Sequence, residues 1–149
     1  MDLLKIGLVA GVLATAATPA LAAPQVSSAW SRPAAAGTTG AGFMMLTNPG
    51  KAPDALVAVE SPAARSVEIH RSVMSGGVSS MRKQARVPLA PGGSVLFAPG
   101  GYHLMFMGLK TALKSGDQAP ATLIFESGAR VKANFEVRVS APPEGHQRH

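Results

Sequence analysis

The chain has 149 residues, a formal net charge of +6 and no cysteine, and its aromatic side chains are one Trp, one Tyr and five Phe. This length is enough for one domain with a single hydrophobic core. Because the lysines and arginines are scattered and few aromatic side chains accompany them, a nucleic-acid-binding surface is not indicated. The lack of cysteine excludes disulfides and also a blue-copper electron-transfer centre, which requires a thiolate ligand.

The N-terminal residues have the organisation of a signal peptide. Lys5 precedes an apolar, alanine-rich run at residues 6–17, and Pro19 and a small-residue sequence at residues 20–22 follow. This pattern predicts that residues 1–22 direct export of the chain and are cleaved off after residue 22 or 23. The apolar run is too short for a convincing transmembrane helix, and no cysteine lies near the cleavage site to carry a lipid. We therefore expect no stable insertion into the membrane.

The rest of the chain is predicted to be all-β, because its apolar residues recur with a period of two and no segment shows an extended apolar stripe of helical period. Turn sequences rich in Gly, Pro, Asn and Ser separate the strands. The predicted strands are residues 25–31, 42–48, 55–61, 66–73, 78–84, 94–98, 102–107, 121–126 and 131–139. This spacing is typical of an antiparallel Greek-key β-sandwich or barrel, here over residues 24–140. Residues 141–149 are predicted to be a flexible tail.

Four side chains carry most of the functional information: His70, Met81, His103 and Met105. Thioether sulfur combined with imidazole nitrogen suits Cu(I), whereas calcium, magnesium and iron sites prefer oxygen ligands or thiolates. His103 and Met105 are separated by one residue, so on a strand they share a face. The set predicts a site for one copper ion.

The turn between the predicted strands at residues 66–73 and 78–84 decides how Met81 meets His70. A two-residue turn at residues 75–76 places Met81 directly opposite His70. A turn at residues 76–77 instead pairs His70 with Lys83 and leaves Met81 on the diagonal. Both registers put the two candidate ligands on the same face of the hairpin.

The other methionines are assigned to packing. Met74 and Met107 are expected to pack around the site rather than to bind the metal, because methionine most often fills gaps in a core. Met44 and Met45 occupy adjacent positions that face opposite sides of a strand, and both are read as core, with the possibility left open that one of them lines the pocket.

The spacing His-x10-Met-x21-His-x-Met resembles that of the periplasmic copper chaperone family PCu(A)C. The resemblance extends to residues 29–33, 47–48, 61–64, 67–70 and 99–109, and covers the chain from about residue 29 to 139. It implies a cupredoxin-like β-barrel that binds Cu(I) through His70, Met81, His103 and Met105. It also implies delivery of copper to the dinuclear CuA centre in subunit II of cytochrome c oxidase, often alongside a Sco-type protein.

The predicted function is thus that of a periplasmic Cu(I) metallochaperone. Copper sequestration without a dedicated acceptor is the alternative, since it would use the same ligands, and an adhesion or assembly module without metal is a second one. No nucleophile elbow, zinc signature or carboxylate cluster is present, so no enzymatic activity is expected. We expect a monomer. The tail contains only His146 and His149 as candidate ligands for a second, Cu(II), site, and this question stays open.

Overall fold

The computed structural model describes residues 22–143 and Gly11. These residues form β1 (Gln25–Ser31), β2 (Gly40–Thr47), β3 (Asp54–Glu60), β4 (Ala64–Ser75), β5 (Val78–Lys83), β6 (Val87–Leu89), β7 (Ser94–Phe97), β8 (Tyr102–Leu109), β9 (Gln118–Phe125) and β10 (Arg130–Val137). Almost all of the predicted signal peptide lies outside the described residues, as do residues 144–149 of the predicted tail with both of its histidines. No helix in the described part is long and apolar enough to cross a membrane.

The strands form one sheet in the order β5-β4-β8-β7-β2-β1-β10-β9-β3-β6, and an additional pairing of β3 with β4 closes it into a barrel. Most neighbouring strands are antiparallel, while β1 with β10 and β7 with β8 are parallel. The architecture is an all-β, cupredoxin-like barrel, which confirms the predicted fold class.

All nine predicted strands are observed, with bounds within three residues of the prediction, and one further strand was not predicted. The three-residue β6 is absent from the prediction because it is very short and has Pro88 at its centre, where a donor for sheet hydrogen bonds is missing. The last strand ends at Val137, whereas the prediction extended it to Val139, which is 80% exposed. The hairpin of β9 and β10 forms as expected, with Val131 opposite Leu123.

The core lies inside the barrel and is built from the apolar face of each strand. Its fully buried aromatic side chains are Phe97, Phe106, Phe125 and Phe135. The rings of Phe106 and Phe135 meet edge to face with centroids 5.6 Å apart. Burial of such a side chain stabilises the fold by about 1.5–3 kcal/mol. This packing holds β8 in place, so that the opposite face of the strand can carry polar and thioether side chains.

The hairpin of β4 and β5 extends beyond the barrel. Its turn is made by Gly76 and Gly77, whose φ angles of 59° and 77° are the positive values that a type I′ turn requires. The pairing of β4 with β8 ends at Arg71 and Tyr102, so among the described strands only β5 lies beside the outer part of β4. Every residue of β5 is exposed. The end of the hairpin is therefore a two-stranded ribbon that solvent reaches from both sides.

Candidate metal centre

His70 and His103 are directly opposite each other on the neighbouring strands β4 and β8. Their ring centroids are 5.9 Å apart and the ring planes are inclined by 39°. His103 is 5% exposed, and the side chain of His70 is 19% exposed. Residues 33 positions apart in the sequence thus present two imidazoles as close neighbours on the outer face of the sheet.

Each imidazole has one ring nitrogen fixed by a hydrogen bond. His70 Nε2 donates to Glu68 Oε2 at 2.8 Å, and His103 Nδ1 donates to the carbonyl oxygen of Gly101 at 3.1 Å. Because a carboxylate and a carbonyl can only accept, the nitrogen that faces each of them carries the proton. The other nitrogens, His70 Nδ1 and His103 Nε2, are buried and have no hydrogen-bond partner among residues 22–143 and Gly11. In neutral imidazoles these two atoms carry lone pairs, which is the state that a metal ion requires.

Glu68 is a further candidate site residue, which the sequence analysis did not single out. The hydrogen bond from His70, followed by that from Lys83, lowers the pKa of its carboxyl group, so it remains an anion and an acceptor. Lys83 Nζ lies 3.3 Å from Glu68 Oε1. A carboxylate that accepts from a metal-binding histidine orients the ring and raises its basicity. The sequence signal was available, because Glu68 is two residues before His70 and on the same strand face.

Met105 lies next to the paired histidines. It is two residues after His103 on β8, it is half-buried, and it is opposite Glu68 on β4 and Ala41 on β2. The neighbouring residues of β8, Leu104 and Phe106, face the core and are fully buried, as the alternation predicted.

Met81 is the most exposed of the four candidate ligands. His70 is paired with Lys83 and Ser72 with Met81, so the turn at residues 76–77 is the one formed, and Met81 is diagonal to His70. Diagonal neighbours on one face are about 7–8 Å apart, a distance that long side chains can bridge. Met81 is 62% exposed. The structure thus brings the two histidines together directly and places one methionine on each side of them.

The remaining methionines differ from one another. Met107 Sδ accepts a hydrogen bond from the hydroxyl of Thr39 at 3.8 Å, which agrees with a packing role. Met44 is buried in the core. Met45 borders a groove of about 570 Å³ that none of the four candidate ligands lines. The expectation that Met74 packs around the site is wrong, because its side chain is 69% exposed.

Conventional metal ligands alone do not form a site in the described part of the chain. Among residues 22–143 and Gly11, no three His, Cys, Asp or Glu side chains are grouped so that they could hold a metal ion. The candidate set at the paired histidines adds thioether sulfur to the two imidazoles, and a donor set of that kind favours a soft metal ion over zinc, calcium or magnesium.

A small β-barrel with two paired imidazoles whose lone pairs lack partners defines a candidate metal-binding domain. The chain belongs to the LpqE-like family, described as "Putative lipoprotein LpqE-like", which matches residues 24–137. It is 39% identical over 119 residues to "Putative lipoprotein Lxx21020" of Leifsonia xyli subsp. xyli (strain CTCB07), a match that covers 78% of this chain and 71% of that protein.

Solved structures with a similar fold include PCuAC domains. The copper-bound PCuAC domain from PmoF2 superposes with a TM-score of 0.66 and 27% identity, over 83% of this chain and 97% of that domain. The solution structure of CuI-DR1885 from Deinococcus radiodurans superposes with a TM-score of 0.60 and 28% identity, over 77% of this chain and 79% of that protein. The predicted resemblance to the copper chaperone family is thus supported at the level of the family.

Proposed function

We propose that this protein is a periplasmic metallochaperone that binds one Cu(I) ion through His70, Met81, His103 and Met105 and delivers it to the CuA centre of cytochrome c oxidase. The observation that carries the proposal is the pair of buried ring nitrogens without partners, His70 Nδ1 and His103 Nε2, between two thioethers. The similarity to PCuAC domains solved with copper supports the choice of metal. Membership of a family described as lipoproteins supports a place in the cell envelope.

The donor set favours the reduced ion. All four proposed ligands are neutral, and soft thioethers stabilise Cu(I) relative to Cu(II), which prefers harder donors in tetragonal geometry. The hydrogen bonds from His70 to Glu68 and from His103 to Gly101 hold both rings in the tautomer that binds metal before any ion arrives.

The difference in exposure between the ligands gives an order for copper release. Met81 is 62% exposed, whereas His103 is 5% exposed. A thiolate of the acceptor can reach the metal from the side of Met81 and replace that thioether first, while His103 is the last ligand to leave. Transfer in this direction is favourable because anionic thiolates are stronger ligands for Cu(I) than neutral thioethers. The acceptor in this proposal is the CuA domain of subunit II, with a Sco-type protein as a possible further partner.

The metal site is tested by competition titration with a Cu(I) chelator. We expect one tightly bound Cu(I) per chain, an affinity about 10–100-fold lower in Met81→Leu, and a greater loss in His103→Ala. Met45→Leu is the matched control, because it removes a thioether outside the site. Equal affinities in the wild-type protein and in His103→Ala would refute the assignment of the site.

Copper sequestration without a dedicated acceptor is the second candidate function. The burial of His103 favours it, because a buried ligand slows the release of the ion. The two functions are separated by mixing the copper-loaded protein with an isolated apo CuA domain. Transfer that is much faster than spontaneous dissociation supports delivery, and transfer at the dissociation rate supports sequestration.

A further inference from the structure

Met74 has no packing role that would explain a large apolar side chain at its position. It is 69% exposed, and it is the last but one residue of β4, beyond the point where β4 stops pairing with β8. In the part of the chain that the structure describes, its only neighbouring strand is β5, where it is opposite Ser79. A polar side chain would be expected at such a position on an exposed ribbon.

Met74 and Met81 are on the same face of the hairpin. Met81 is opposite Ser72, and Ser72 shares a strand face with both His70 and Met74. Met74 and Met81 are therefore diagonal neighbours, about 7–8 Å apart at the backbone. Each methionine side chain has three rotatable bonds beyond its backbone, so the two sulfur atoms can approach a common ion.

The candidate ligands form a series along this face that runs from buried to exposed. His103 is 5% exposed, Met81 is 62% exposed and Met74 is 69% exposed. His70 lies between the first two, since it is directly opposite His103 and diagonal to Met81. The soft donors thus continue outward past the four-ligand set and end at the tip of the hairpin.

We propose that Met74 and Met81 form an outer Cu(I) position, through which copper passes between solvent or an acceptor and the inner site at His70 and His103. This inference rests on the proposed function and adds a residue and a step to it. In the step, Met74 Sδ forms a bond to Cu(I) that is still held by Met81, and the bonds to the inner ligands break. Copper remains Cu(I), both thioethers remain neutral, and no proton or electron is transferred.

The outer position is weaker than the inner one because it has two ligands and is open to water. Met74 therefore contributes little to the equilibrium affinity of the inner site but lowers the barrier to exchange. An effect on the rate of copper release without an effect on affinity distinguishes Met74 from the four proposed ligands of the inner site.

The first test compares Met74→Leu, which removes the sulfur and keeps an apolar side chain of similar size, with the wild-type protein. Copper is withdrawn by excess bicinchoninic acid, a small chelator that needs no docking surface. We expect an unchanged equilibrium affinity and a rate of copper release about tenfold lower, which corresponds to a barrier higher by about 1.4 kcal/mol. Val78→Ala is the control, because Val78 is an exposed apolar residue on the same hairpin, with 66% exposure and no sulfur. Equal release rates in Met74→Leu and the wild type would overturn the proposal, as would an equal slowing in Val78→Ala.

The second test observes the outer position directly. In protein labelled with 13C at the methionine methyl groups, titration with Ag(I) as a redox-inert substitute for Cu(I) is followed by NMR. We expect the first equivalent to shift the methyl signals of Met81 and Met105, and an excess to shift that of Met74. A Met74 signal that does not move while the Met105 signal shifts would overturn the outer position and leave the inner site intact. If no methionine signal moves, both the outer position and the proposed function are wrong.

Discussion

Replacing Glu68 by glutamine tests whether its carboxylate prepares His70 for metal. Glu68 Oε2 accepts from His70 Nε2 at 2.8 Å, and this bond leaves the lone pair on His70 Nδ1. In Glu68→Gln the acceptor is neutral, and its amide nitrogen can present a donor instead. Either change allows the tautomer in which Nδ1 carries the proton, and this tautomer cannot bind an ion through that atom.

The expected effect is a lower affinity for Cu(I) with little change in stability. Loss of an outer partner of a metal-binding histidine typically lowers affinity about 10–100-fold. We expect the lower end of that range, because the Glu68 side chain is 29% exposed and water can substitute in part for the carboxylate. The thermal midpoint should move little, since Lys83 is 67% exposed in its ion pair with Glu68 and such pairs contribute about 0–1 kcal/mol.

The assay is Cu(I) competition, together with NMR of 15N-labelled imidazoles, which reports the tautomer of each ring. The matched control is Glu60→Gln, which breaks an exposed ion pair with Arg130 and leaves the site untouched. If Glu68→Gln binds Cu(I) as tightly as the wild type, or if its His70 keeps the proton on Nε2, the carboxylate does not set the tautomer. An equal loss in Glu60→Gln would show a general effect of charge.

Three further predictions concern the barrel and its thioethers. In Gly42→Ala the added Cβ would lie 2.6 Å from Phe106 Cε2, so the buried ring must shift, and calorimetry or denaturant unfolding should show a loss of about 1–3 kcal/mol. Burial alone would raise the pKa of Asp54, but hydrogen bonds from the Ser127 hydroxyl and from backbone N–H groups outweigh it and lower the pKa below 3.8. The ionised Asp54 should therefore stabilise the fold above pH 3.8, and this contribution should vanish as the pH falls through the lowered pKa. Urea unfolding of the wild type and of Asp54→Asn at several pH values can show this. Dilute peroxide should oxidise the exposed Met81 before any buried methionine. Bound Ag(I), the redox-inert substitute for Cu(I), should protect Met81, as mass spectrometry can measure; oxidation at equal rates with and without Ag(I) would contradict its role as a ligand.

Most of the fold could be predicted because alternation along a strand is a local property. Where apolar and polar residues alternate, one face must be buried, and β8 shows this with Leu104 and Phe106 in the core. The three-residue β6 could not be predicted, because so short a segment has no periodicity to read. The parallel pairing of β1 with β10 depends on contacts between the two ends of the domain, which no local pattern encodes.

The sequence by itself determined the donor types, their spacing and their faces, because residue chemistry and strand parity need no knowledge of neighbours. It left two hairpin registers open, and only the turn at Gly76 and Gly77 in the folded chain selected one of them. Tertiary structure also decided which strands are adjacent, so that His103 is opposite His70. It decided which atoms are buried without partners and which thioethers remain in solvent. These properties depend on long-range pairing and solvent access, which are set by the whole barrel rather than by any segment of it.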